Sequence, residues 1–433
     1  MSDSIQRTVE AVWRMESAKI IGTLARLLRD VGQAEELAHD ALVAALEQWP
    51  SDGIPENPAA WLTTAAKRRA IDLIRRRELH VRQQHQLTFE IESQLSDAAP
   101  DLEAAIELAF DRPIADDLLR LVFIACHPVL SREARTALTL RLVGGLTTDE
   151  IARAFLVPEL TIAQRIVRAK RTLAEARVPF ELPEARELAP RLASVLEVIY
   201  LIFNEGYAAT AGESWMRPAL CEDALRLGRI LAELAAQETE VHGLLALMEI
   251  QASRLRARTR ADGEPVLLLD QDRSRWDRLL IGRGLSALQR AEALAAERGQ
   301  GLGPYALQGA IAACHARAAT AAETDWPAIV ALYDALAALV PSPVVELNRA
   351  VALAMAYGPA AGLEAADALR SEPQLKGYHL LPSVRGDLLY KLGRLADARV
   401  EFERAASMAR NARERTLLTR RAEECAQRAA PPH

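Results

Sequence analysis

Thr161, Gln164, Arg165, Arg168, Lys170 and Arg171 fall within one short stretch, and Lys67, Arg68, Arg69, Arg75, Arg76 and Arg77 within another. Neither set has the makings of a catalytic centre. Both suit nucleic acid: guanidinium and ammonium groups neutralise phosphates, and Gln and Arg can donate to base edges in a major groove. Spacing sharpens the first set. Ile162, Ile166, Ala169 and Leu173 recur at helical intervals, so a helix here buries that stripe and turns Thr161, Gln164, Arg165, Arg168 and Arg171 away from it. An amphipathic hairpin with a merely solvated basic face would read the same way, so the surrounding elements decide.

In "GGLTTDEIARAFLVPEL" (144–160), Thr147 and Glu150 form a T-x-x-E capping box after the Gly144-Gly145 break. The helix it starts is predicted to run to about Phe155. Val157-Pro158 makes the corner, and Pro158 suits the opening of the next helix, where its missing N–H is no loss. Upstream, residues 30–49 predict a helix with Leu37, Ala41, Leu42, Ala45, Leu46 and Trp49 on one face, and Asp30, Glu35, Glu36, Asp40 and Glu47 elsewhere. The Pro-, Gly- and Asn-rich stretch 50–58 predicts a loop. The basic helix follows, with Trp61, Leu62, Ala66, Ile71 and Ile74 available for packing; Trp61 itself reads as core rather than as a stacking platform.

The chain has 433 residues and a net formal charge of −6, which on its face opposes nucleic-acid binding. Charge is distributed unevenly, however. Residues 60–80 carry six bases and two acids, residues 161–177 carry five and one, and residues 86–117 carry nine acids and one base. Fields between exposed charges fade beyond about 8–10 Å at physiological salt, so local patches govern phosphate contact.

At this length two or three domains are expected. Half the residues are hydrophobic but only 5% aromatic, and Ala, Leu, Arg and Glu dominate, which favours an all-α fold. No run approaches the roughly 18–20 apolar residues that span a bilayer, and the N-terminal stretch lacks signal-peptide organisation. Cys126, Cys221, Cys314 and Cys425 are far apart and form no CxxC pair, which fits a reducing cytoplasm and argues against a disulfide framework or structural zinc.

"VPFELPEARELAPRL" marks a boundary near residue 178, beyond which helical stretches alternate with Gly or Pro breaks: about 188–208, 215–235, 239–260, 275–298, 304–321, 325–339, 343–357, 360–370, 378–391, 394–409 and 411–428. Gly386, Leu389, Ala398, Phe402 and Ala405 stand at the small and large packing positions of a tetratricopeptide helix pair. Stacked pairs of this kind form an α-solenoid with a groove for a peptide or protein, while a plain helical bundle is the simpler alternative.

The segments "D…AEEL…DA…W", "WL…R..D.IRR" and "EIA…L.V…T….R..RA...L", in that order over residues 8–177, resemble the extracytoplasmic-function sigma factors of bacterial RNA polymerase. The resemblance implies a sigma region 2 domain over 8–80, an acidic linker over 81–114, a region 4 helix-turn-helix domain over 115–178 and a tetratricopeptide-like extension over 179–433. It implies contact with core polymerase through Asp30, Glu35, Glu36 and Asp40, with the β′ clamp and β flap as partners. Trp61, Lys67, Arg68, Arg69, Asp72, Arg75 and Arg76 would serve the −10 strand, and Thr161, Gln164, Arg165, Arg168, Lys170 and Arg171 the −35 duplex. "YLIFNEGYAAT" (200–210), "LLLDQDRSRWD" (267–277) and "PSPVVELNRAVALA" (341–354) resemble a subgroup of the family that carries such an extension.

No cofactor or metal is expected, nor catalysis, and no membrane partner. Asn204, Glu205, Asp270, Asp272 and Arg275 are read as buried or helix-end ion networks rather than a catalytic cluster. The alternative to a sigma factor is a repeat-containing DNA-binding regulator or scaffold that does not serve polymerase. Such a protein needs the helix-turn-helix but not the acidic and basic helices upstream of it.

Overall fold

The computed structural model describes residues 2–86, 114–155, 157–208, 215–260 and 264–429. The chain is all-α, as its composition implies; among the described residues the extended pairing is a single bridge between Thr259 and Pro265. Two compact units divide it, residues 1–198 and 199–433. The acidic linker expected over 81–114 lies largely outside the described residues.

In the first unit, helix α1 (Ser2–Leu28) packs against α2 (Val31–Asp52), α3 (Pro58–Gln86) and α4 (Ile114–Ala125). Asp30 caps α2 by accepting from the Gln33 N–H at 3.1 Å. The packed face of α2 is small: Ala34, Ala38, Ala41 and Ala45 are fully buried. Alanine lets neighbouring helices approach closely, and the wider leucine stripe expected from the sequence is therefore rotated partly out, leaving Leu46 41% exposed. Trp49 closes the core edge-on against Trp61, with ring centroids 5.5 Å apart. The helix carries Pro50 in its last turn and stops at Gly53, whose φ of 87° only glycine adopts freely and whose N–H donates to the Trp49 carbonyl at 3.0 Å. The connection to α3 is accordingly shorter than the 50–58 loop expected.

Helices α5 (Arg132–Leu142), α6 (Thr148–Phe155) and α7 (Glu159–Glu175) follow α4. The capping box forms at α6: the Thr147 N–H donates to Glu150 Oε2 at 2.8 Å, and the Glu150 N–H to Thr147 Oγ1 at 3.1 Å. Ile162, Ile166, Ala169 and Leu173 are all buried, and α7 packs on α5 and α6 through them. The unit extends past the boundary near residue 178 because the early turns of α8 (Ala185–Tyr207) belong to it: Arg191 donates to the Phe123 carbonyl at 2.8 Å and Ser194 Oγ to that of Cys126 at 2.7 Å.

The second unit takes the rest of α8 with α9 (Pro218–Leu234), α10 (Thr239–Ala252), α11 (Arg278–Glu297), α12 (Pro304–Arg317), α13 (Trp326–Leu339), α14 (Pro343–Tyr357), α15 (Pro359–Ala368), α16 (Leu380–Lys391), α17 (Leu395–Met408) and α18 (Ala412–Ala429). Helix α12 packs chiefly on α10, and from α13 onward each helix packs chiefly on its sequence neighbours, the organisation of stacked helix pairs. The α16–α17 pair shows the reason for the spacing seen in the sequence. A Cβ added to Gly386 would lie 2.9 Å from the Phe402 ring, so the small residue accommodates the large one, with Leu389, Ala398 and Ala405 buried around them.

Candidate polymerase and promoter interface

The two basic helices present their charges in different ways. On α3, Arg68, Asp72, Arg75 and Arg76 are exposed, while Lys67, Arg69 and Trp61 are half-buried. Trp61 is engaged with Trp49, as its apolar neighbours suggested. On α7, Gln164, Arg168 and Arg171 are exposed opposite the buried stripe, and Thr161, Arg165 and Lys170 are half-buried beside it. Arg171 pairs with Glu175 one turn on, at 2.6 Å, an exposed pair that holds the guanidinium along the helix. Pro158 begins α7 without a side-chain cap, leaving the first N–H groups of the helix unclaimed by the preceding residue.

The acidic set of α2 separates in the same manner. Glu36 and Asp40 are exposed, Asp30 serves as the helix cap, and Glu35 is buried. Glu35 Oε1 accepts from Arg141 Nε of α5 at 2.6 Å, and Oε2 pairs with the Lys170 ammonium of α7. Burial alone would push this carboxyl up, but Lys170 and Arg141 together hold it below the ordinary carboxylate value. Two residues assigned by sequence to different partners, Glu35 to polymerase and Lys170 to DNA, are thus brought onto each other.

A second joint, which the sequence did not signal, lies beside the first. Asp117, counted in the acidic stretch, is 2% exposed and accepts a two-pronged contact from Arg26 Nε of α1, 2.9 Å to each oxygen. Arg120 adds a third donor at 2.8 Å. Gly22 permits this approach: a Cβ there would meet the Asp117 carbonyl oxygen at 3.1 Å. A cleft of about 660 Å³ opens alongside, bordered by Arg26, Arg29, Asp30, Arg120, Lys170 and Arg177. Its basic rim suits an anion. The i, i+3 spacing of Asp117 and Arg120 is the one local signal that could have found part of this joint; nothing local points to Arg26.

In the second unit the acids once weighed as a cluster have structural tasks. Asp272 accepts from the Ser274 N–H at 2.9 Å, Glu205 pairs with Arg217, and Asp270 and Arg275 are exposed. Asp277 caps α11 through the N–H groups of Leu279 and Leu280. Among the described residues no group of three His, Cys, Asp or Glu side chains is placed to hold a metal ion, and no helix is long and apolar enough to cross a membrane.

A helical domain with a basic helix, joined to a helix-turn-helix, defines a class that comparison makes specific. Residues 12–79 match sigma-70 region 2 and residues 120–173 match sigma-70 region 4. The chain belongs to the extracytoplasmic-function RNA polymerase sigma factors, a family of transcription initiation factors and not of enzymes. It is similar to ECF RNA polymerase sigma factor SigK of Mycobacterium ulcerans, 33% identical over 159 residues that cover 36% of this chain and 78% of that protein. SigK of Mycobacterium tuberculosis H37Rv is 29% identical over 160 residues. Similarity to the uncharacterized protein R00370 of Rhizobium meliloti strain 1021 runs through both units: 44% identity over 398 residues, 92% of this chain and 91% of that one. Residues 191–292 match a family of unknown function, DUF6596. No solved structure matches the chain. Possession of both regions removes the reading of a DNA-binding regulator that does not serve polymerase.

Proposed function

We propose that this sigma factor directs core RNA polymerase to specific promoters, region 4 reading a duplex −35 element and region 2 holding the melted −10 strand. The observation that carries this reading is the exposed Gln164, Arg168 and Arg171 face of α7, set opposite a buried stripe on a capped helix-turn-helix. Thr161, Gln164, Arg165 and Arg168 reach base edges, while Lys170 and Arg171 meet phosphates. Along α3, Lys67, Arg68, Arg69, Arg75 and Arg76 follow the backbone of the single strand, with Asp72 and Trp61 shaping its path. Asp30, Glu36 and Asp40 face the β′ clamp, region 4 meets the β flap, and Glu35 joins the clamp surface when its joint with Lys170 opens. The second unit acts as a fused regulatory module that docks a protein or peptide segment in its helical stack. Fusion makes its contacts intramolecular, so weak ones are well populated. The setting is the cytoplasm, where the polymerase works.

Run-off transcription with purified core polymerase tests the reading. Arg168→Ala should lower output from the cognate promoter by about 1–3 kcal/mol of recognition, roughly five- to 150-fold, and much less from a scrambled −35 site. Arg171→Ala should weaken both templates alike. Equal losses for Arg168→Ala on both templates would reduce this face to a phosphate neutraliser. Charge reversal at Asp30 and Asp40 should weaken co-elution with core, and deletion of 199–433 should change cognate transcription severalfold.

A further inference from the structure

Four arginines are buried among the described residues of the second unit; Arg385 is paired with Asp367 and Glu401, which leaves Arg254, Arg258 and Arg273, each less than a tenth exposed. Among the described residues none of the three pairs with a carboxylate; the half-buried Glu205 pairs with Arg217 and the buried Glu249 with Arg229. Two of the arginines are accounted for by neutral groups. Arg258 lies flat on the Tyr207 ring at 3.5 Å and donates to the Tyr207 carbonyl at 2.7 Å. Arg273 donates to the carbonyls of His315 and Ala318 at 2.8 and 2.7 Å and to Thr324 Oγ1 at 2.9 Å.

Arg254 is different. Its Nη2 donates to Tyr207 Oη at 2.7 Å and to Gln251, while its Nε, like that of Arg273, is buried without an acceptor; of the two, Arg254 borders a cavity. It lines a cavity of about 290 Å³ formed by α8, α10, α12 and α13. His315 lines the same cavity, is 8% exposed, and has a buried Nδ1 that also lacks a partner. A buried cation with an open donor costs free energy unless something completes it. One such cation and a neutral imidazole with an open nitrogen, both lining one cavity, specify the missing piece as an acceptor with negative charge.

The rest of the lining sets the class. Phe203, Leu247 and Ile311 supply an apolar part of the lining, and Tyr333 offers a phenol whose proton burial retains, its pKa pushed up to about 12. His315 is held neutral, pulled down to about 4 by burial first and then by Arg254 and Arg273, so it can donate one hydrogen bond without adding a charge. One open cationic edge, neutral donors and an apolar wall suit a single carboxylate on an apolar or aromatic body. A phosphate dianion would bring a second charge for which the cavity holds no second free cation, at a large desolvation cost. The volume is at the small end for ligand pockets, the size of a metabolite rather than a nucleotide.

We infer that the C-terminal unit carries a binding site for a small organic monocarboxylate, its head on Arg254 and His315 and its body against Phe203, Leu247 and Ile311. Binding is read on the protein alone, so the inference stands or falls apart from the promoter reading. The test is titration calorimetry and thermal melting of the full chain with benzoate and hexanoate, with benzamide and hexanamide as uncharged counterparts and inorganic phosphate as the second anion. At least one carboxylate should bind saturably and raise the melting temperature, with its amide and phosphate at least tenfold weaker. Arg254→Met should weaken carboxylate binding at least tenfold. Asn348→Trp, at the exposed rim of the cavity, should do the same by filling the mouth, and decides the matter if Arg254→Met fails to fold. Absence of saturable binding by both carboxylates, phosphate binding as tight as theirs, or affinity unchanged in the folded variants would overturn the inference.

Discussion

Buried charge is handled differently by the two buried acids described in the first unit and by Arg254 in the second, where other buried charges, Glu249 with Arg229 and Arg385 with Glu401, are paired. In the first, each buried acid is answered from within: Glu35 by Arg141 and Lys170, Asp117 by Arg26 and Arg120. In the second, Arg254 is buried against an aromatic ring, a phenol and an amide, with a donor left over. A closed ion network stabilises the arrangement that contains it, whereas an open one marks a place where something from outside completes the electrostatics. Glu35 and Asp117 are the closed case, and Arg254 the open one.

The largest expected effect tests the closed side. Asp117→Ala leaves two guanidinium groups facing an apolar gap and should cost about 3–4 kcal/mol, read as a lower urea midpoint in the first unit's transition. Replacing the Arg254 guanidinium should do far less, because it removes an incompletely satisfied cation rather than breaking a pair. Arg254→Met should lie within about 1 kcal/mol of wild type, and a loss as large as that for Asp117→Ala would erase the contrast.

Acid sharpens the open side. The folded pKa of His315, about 4, lies below the ordinary value of 6.5, so the unfolded chain binds the proton more readily. The stability tied to this residue is intact above pH 6.5 and is lost progressively as pH falls toward 4. By pH 5 the loss should be about 2 kcal/mol, and His315→Gln should flatten that part of the pH profile of the melting temperature.

Glu35 is expected to give a smaller effect, about 1–2 kcal/mol for Glu35→Gln, because Arg141 and Lys170 retain access to water. Its stabilisation is present above the unfolded carboxylate pKa and fades as pH falls through the lowered folded value. The same substitution releases Lys170, so the logarithmic salt slope of duplex DNA binding should steepen by about one unit. An unchanged slope would mean that Lys170 does not reach phosphate.

Much of the architecture was readable in the chain because local chemistry dictates it. Thr147 and Glu150 announce a helix start, Ile162 to Leu173 a buried stripe, and Gly386 with Phe402 a tight helix pair. What escaped reading depends on residues far apart in sequence. Glu35 looks like its neighbours Glu36 and Asp40, and nothing within a helical turn says that Arg141, 106 residues away, will bury it. Leu46 ranks above alanine in hydrophobicity, yet close helix approach selects the alanines of α2 and leaves the leucine outside. Arg254 belongs to no motif. Its significance lies in the absence of a carboxylate around it, and an absence in space leaves no signature in order along the chain.

The Glu35 joint has redundancy. Its carboxylate is shared by cations from two helices, so the departure of one does not expose a bare buried charge. If a DNA phosphate draws Lys170 away, Arg141 remains at 2.6 Å to neutralise Glu35, and the transfer needs only the exchange of one partner for another. On the proposed promoter reading, engagement through Lys170 would therefore be graded rather than abrupt: the helix would sample DNA with its own lysine while Glu35 stays neutralised by Arg141.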